Sequence, residues 1–211
     1  MGMIGHVRQI TPDELHELQR NPESVRKLVH RKMLSNAGNI RAALERVQTI
    51  ALRSAGSKSA SDPLASEQVR AQILKELEST GVKLPGEESD DGLSLEKSWH
   101  SLHYLLTGRV EEAAPPLGNA ILGGVPIGDD LGYGPGRFLT PELVREVSRA
   151  LSKFTPDELA RRFDLDAMSA ANIYACADED ELEIAQSYFE QLVQYYADAA
   201  TRGNAMLLWI D

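Results

Sequence analysis

Cysteine is nearly absent from this chain. Cys176 is the only one among 211 residues, so no disulfide can form within it. A fold that manages without disulfides is expected in a reducing compartment, which makes the cytoplasm the expected location. Long apolar runs are also missing. The longest, Ala205 to Ile210, is six residues, far below the roughly 18 that a membrane span needs, so no membrane association is expected. The opening MGMIGHVRQI has no basic segment followed by an apolar core, and His6 stands where a myristoylation signal carries Ser or Thr. Aromatic residues are only 6% of the chain. None lies among the basic residues of 26–58, so nothing there would stack on bases, and nucleic acid is a disfavoured partner.

Catalytic signatures are missing as well. No glycine is followed by Lys and then Ser or Thr, as a phosphate-binding loop requires. The G-x-G at Gly132 and Gly134 lacks a third glycine and a helix starting directly after it. There is no Cys-x-x-Cys, His-Glu-x-x-His or G-x-S-x-G. The acidic stretch LPGEESDDG at 84–92 lacks the alternating ligand spacing of a calcium loop. Cys176 sits in an apolar stretch, which raises a thiol's pKa and hides it from substrate.

What is present is an ordinary globular composition, 42% hydrophobic, on a chain long enough for one domain with a sizeable core. The net charge is −10, and it is unevenly placed. Residues 1–90 hold 13 basic and 12 acidic residues, whereas 91–211 hold 9 and 20. An acidic second half disfavours phosphate backbones and favours solubility. The eight basic residues of 26–58, with Glu45 as the lone acid there, are the one stretch that would attract an acidic partner.

Helix starts are legible. Thr11-Pro12-Asp13-Glu14 and Thr155-Pro156-Asp157-Glu158 each read as a capping box, and Thr140-Pro141-Glu142 as a partial copy. Leu182, Ala185, Phe189, Leu192, Tyr196 and Ala199 step by three and four, the clearest helical period in the chain. Gly203 is placed to end that helix, and Ala205–Ile210 reads as a buried, central strand. Met3–Ile10 and 172–177 (NIYACA) also read as strands. Residues 30–92 read as an inserted helical region with a flexible Ser/Ala/Gly-rich loop at 55–62, too poor in apolar residues to close a core alone.

The middle of the chain is its organising stretch. Trp99, Leu102 and Leu106 share a helix face with Leu95; Ser94 is placed to cap its start and Gly108 its end. His103 lies about 40° from Trp99 on the wheel, and His100 about 100° away on the flank. A glycine-rich span follows, holding seven of the 16 glycines between Gly118 and Gly136. It reads as a run of tight turns that would line a polar pocket formed by Trp99, His103, Asp129, Asp130, Tyr133 and Arg137. Arg137 would hold an anion, and a carboxylate would orient His103. The alternative is a core histidine bonded to a carbonyl. His100 and His103 with Asp129 or Asp130 could face a metal, but histidines three apart define no site alone. No metal and no cofactor is expected.

W-x-x-L-H-Y-x-L-T-G at Trp99–Gly108, P-L-x-x-A-I-L-G at Pro116–Gly123 and the opening Met1-Gly2-Met3-Ile4-Gly5 resemble motifs of the YfbM-like proteins, a bacterial family of unknown function. The resemblance covers the first ten residues and roughly the last 120, while residues 20–90 match poorly. It implies a compact mixed α/β domain and supplies no reaction. The expected fold is therefore a single helix-rich α+β domain over 1–211, with a small mixed sheet of about four strands packed by helices. The expected function is non-catalytic binding of a protein partner. The alternatives are a small-ligand binder or enzyme using His103 and Arg137, and nucleic-acid binding through 26–58.

Overall fold

The computed structural model describes residues 2–29, 92–176, 178 and 180–211. The chain divides into two units, Met1–Arg26 with Asp90–Asp211, and Lys27–Ser89. Apart from 27–29 the second unit, and with it all but residue 92 of the expected inserted region 30–92 and most of the basic stretch 26–58, lies outside the described residues.

The first unit opens with β1 (Gly5–Ile10) and α1 (Pro12–Arg20). After 90 come β2 (Leu93–Glu96), α2 (Trp99–Thr107), a 3-10 turn at Leu117–Ala120, and a hairpin of β3 (Val125–Asp130) and β4 (Pro135–Leu139). Then follow α3 (Pro141–Leu151), α4 (Pro156–Arg162), α5 (Leu165–Ala170), α6 (Asp180–Arg202) and β5 (Ala205–Ile210). The fold is mixed α/β, as expected. Its sheet has five strands rather than about four, in the order β2-β1-β5-β4-β3, and every neighbouring pair is antiparallel. β5 is the central strand, and its first four residues are fully or almost fully buried.

Strand register decides which side chains face the helices. Leu208 stands opposite both Val7 on β1 and Arg137 on β4, so the three point to one face. Val7, Leu139, Met206 and Leu208 on that face join one core with α2, α3 and α6. α6 supplies Ala185, Phe189, Leu192, Tyr196 and Ala199 to it, five of the six residues its period picks out; Leu182 is only half-buried and outside that core, and Glu181 is buried instead. Ile10, Phe138 and Leu207 alternate to the other face and are buried too.

Local chemistry sets the helix ends. Thr11 and Thr155 each form the full capping box, and the Thr140 hydroxyl accepts from Leu143 N–H. Gly108 ends α2 at φ 70°, where a residue with a Cβ is strained. Arg162 of α4 donates to the Leu105 and Leu106 carbonyls at 3.0 and 2.9 Å, filling acceptors that α2's end leaves open. Close approach explains Gly5. A Cβ there would overlap Trp99, lying 2.8 Å from its Cγ, so β1 and α2 meet only because residue 5 has no side chain.

Two expectations are corrected. Ser94 does not cap α2: it lies in β2, and the cap position is Ser98, whose side chain makes no capping bond. Leu95 is nonetheless buried, from the strand. The stretch at 172–176 forms turns, not a strand, because Asn172 and Ala175 sit at φ 55° and 58°, outside extended geometry.

Candidate functional site

The α2 helix enters the unit with its first turn against the sheet. Trp99 stacks on His100 at 4.6 Å between ring centroids, and lies 6.3 Å from the Tyr174 ring. Tyr174 reaches the segment just before β1, its hydroxyl accepting from Met3 N–H at 3.0 Å. Its own backbone N–H donates to His100 Nδ1 at 3.0 Å. Nδ1 must then carry the lone pair, and Nε2 the proton, which goes to the Val110 carbonyl at 3.0 Å. His100 is thus a neutral imidazole with both nitrogens engaged by backbone. Burial holds its pKa below 6.5, only partly opposed by the Val110 bond.

One helical turn further, His103 is fully buried and donates from Nε2 to the Glu111 carbonyl at 2.6 Å. Its Nδ1 meets no partner among the described residues. Burial lowers its pKa as well, and the neighbouring His100 adds to that, against the bond to Glu111. From the sheet side, Arg137 forms an ion pair with Glu112 and donates to the Gly124 carbonyl at 3.3 Å.

These three contacts fall on consecutive residues. Val110 is held by His100, Glu111 by His103 and Glu112 by Arg137. The segment leaving α2 is therefore strapped down by two histidines from below and one arginine from the sheet. Farther along, the fully buried Tyr196 of α6 donates from its hydroxyl to the Ala120 carbonyl at 3.0 Å, pinning the 3-10 turn.

The strap walls a cavity of about 710 Å³ at the end of the sheet. Its sheet side is Leu208 and Ile210 of β5 with Pro135 and Arg137 of β4; Trp99, His100 and Tyr174 form an aromatic side. The Trp99 side chain is 6% exposed, and its indole N–H meets no acceptor among the described residues.

Of the residues singled out from sequence, Trp99, Tyr133 and Arg137 line this cavity. His103 does not; it lies in the core behind the strap and meets Arg137 only through the adjacent residues Glu111 and Glu112. Asp129 and Asp130 lie exposed on β3. Asp130 closes the β3–β4 turn, its Oδ1 accepting from Gly132 N–H at 2.7 Å and Gly134 N–H at 3.2 Å. Those two bonds hold its carboxyl below the usual range. Tyr174 and Glu112 line the cavity without having been singled out, and so does His100, which was weighed only as a metal ligand. His100 carried one signal, its place on the flank of the Trp99 face. Tyr174 and Glu112 carried none. Cys176 is not among the lining residues, and burial pushes its thiol up. Among the described residues, no three His, Cys, Asp or Glu side chains gather closely enough to hold a metal ion, and no helix is long and apolar enough to cross a membrane.

The class these observations define is an α+β unit in which a central strand is packed by helices on one face, with a cavity at the strand end. The chain belongs to the family described as a domain of unknown function (DUF1877), which matches residues 1–209. That match includes the region 20–90, where the motif resemblance is poor. Among solved structures the chain is similar to YfbM from Escherichia coli, a protein of unknown function, at 16% identity and a TM-score of 0.58, covering 99% of both chains. At that identity the likeness speaks for the fold alone. No curated protein matches this chain.

Proposed function

We propose that the chain binds a small molecule in the cavity between the α2 first turn and the end of β5. The observation that carries this reading is the cavity itself. At about 710 Å³ it falls in the size range of ligand pockets, roughly 300 to 1,000 Å³. It combines apolar and aromatic walls with a few polar side chains, Arg137, Glu111, Glu112 and Asn172, which is the usual composition of such a site. Binding is favoured over catalysis by histidine because the imidazole in the wall has both nitrogens occupied by backbone partners, so His100 is not free to act as a base. Residues 1–211 are read as one family domain around this site, in keeping with the span of the family match.

A protein partner, the first expectation from sequence, has less behind it. Among the described residues the exposed large hydrophobics are Val125, Tyr133 and Ile184, which fall on β3, the hairpin turn and α6 rather than in one patch.

The test is a fragment set of neutral, cationic and anionic compounds, read by ligand-observed NMR on wild type and on Leu122→Trp, which fills the cavity from its wall. Hits lost in the filled variant support the reading. Hits that survive filling, or no hits of any charge class, overturn it.

A further inference from the structure

Arg137, the only cation lining the cavity among the described residues, already holds a carboxylate. Its partner Glu112 is on the strap, and the Glu112 side chain is 64% exposed against 27% for Arg137. An exposed pair of this kind contributes little and is readily exchanged. Glu112 is therefore a carboxylate held loosely over a half-buried guanidinium, which faces a space lined by apolar and aromatic side chains together with Glu111 and Asn172. Arg137 reaches that space because its register with Leu208 points it to the helix-covered face. Arginine in the middle of such a wall is poorly explained by packing, since Leu208 and Leu139 show what that face otherwise takes.

We propose, on the reading that the cavity binds a small molecule, that its ligand is a small monocarboxylate with an apolar or aromatic body, whose carboxylate displaces that of Glu112 from Arg137. Glu112 stands in for the ligand's acid group when the site is empty. Trp99, Tyr174, Ile121, Leu122 and Leu208 receive the body. A polyanion is disfavoured by the net charge of −10. A single carboxylate meets that field only within a screening length of about 8 Å.

The experiment uses three probes that share one body: 4-hydroxyphenylacetate, 4-hydroxyphenylacetamide and tyramine, an acid, a neutral amide and an amine. Affinities are measured by calorimetry on the full chain. The acid binds best to wild type. Arg137→Gln weakens the acid about 10- to 100-fold and leaves the amide unchanged. Glu112→Gln tightens the acid about 2- to 5-fold, because the internal competitor is gone. This sign separates the proposal from a site in which Glu112 recruits a cation, where the same change weakens the amine. Unchanged circular dichroism in Glu112→Gln and Arg137→Gln guards against misfolding.

The proposal is overturned if the amide or the amine binds as well as the acid, if Glu112→Gln weakens the acid, or if none of the three binds. Should neutral or cationic fragments still be lost on filling the cavity with Leu122→Trp, the binding reading stands while the carboxylate assignment falls.

Discussion

The α6 helix and the strap at Val110–Glu112 bound the same part of the molecule and are held by different forces. α6 is fastened by volume: Ala185, Leu192, Tyr196 and Ala199 are wholly buried at spacings of three and four. The strap has little to bury. Val110 is half-buried and Glu111 and Glu112 are exposed. It is fastened by one hydrogen bond or ion pair per residue, from side chains on α2 and β4. Apolar packing is insensitive to pH and salt. A polar strap is sensitive to both, and a wall that can loosen suits an element lining a cavity.

The largest separation between the two should come from cutting volume. Leu192→Ala removes buried methyl groups from the centre of the α6 face, and such truncations cost about 2–5 kcal/mol. Urea unfolding should show the midpoint falling at unchanged slope. No change of a strap contact should approach this loss. If Arg137→Gln or His103→Leu cost as much, the strap would be part of the core and the contrast would collapse.

The same contrast decides what was legible beforehand. α6, β5, the capping boxes at Thr11 and Thr155, and the glycine stops at Gly108 and Gly203 rest on residues close in sequence, and they are where the pattern puts them. The β3–β4 hairpin was hidden. Its first strand, VPIGDD, contains Pro, Gly and two acids, all poor strand formers, and it is extended because β4 pairs with it. Residues 172–176 erred the other way, with strand-like composition overridden by two left-handed residues. The cavity was half legible for the same reason. Trp99, Tyr133 and Arg137 belong to it, but the partners of His100 and His103 are backbone carbonyls, which carry no residue identity to read.

A smaller effect should come from loosening the strap alone. His103→Leu keeps roughly the volume in the core and removes the donor to the Glu111 carbonyl. The loss of one such bond is about 0.5–1.5 kcal/mol, and part of it is offset because the unpartnered Nδ1 goes too. Global stability should therefore change little. Hydrogen exchange should change locally, with amides in 109–113 exchanging up to about tenfold faster and those of α6 unaffected. Uniform acceleration across both would mean that the strap and the core open as one unit.

The last effect is graded by pH. In the folded chain burial depresses the pKa of both His100 and His103 below the ordinary 6.5. At pH above that value both histidines are neutral whether the chain is folded or not, and they add no pH dependence. As pH falls through 6.5 the unfolded chain takes up protons first, so stability declines, and it goes on declining until the depressed folded values are passed. Each histidine contributes at most about 1.4 kcal/mol per pH unit in that window. The physical event differs between the two. A proton on His100 Nδ1 displaces the lone pair that accepts Tyr174 N–H, so the aromatic wall loosens together with the strap. A proton on His103 Nδ1 has no acceptor waiting among the described residues, and leaves a bare buried charge. Urea midpoints measured from pH 7.5 to 5.5 stay above most carboxylate titration. Wild type should lose stability steadily below pH 6.5, and His103→Leu should lose it less steeply. A flat wild-type profile across that range would mean that both rings protonate without leaving their partners, and the strap would then owe nothing to their neutral forms.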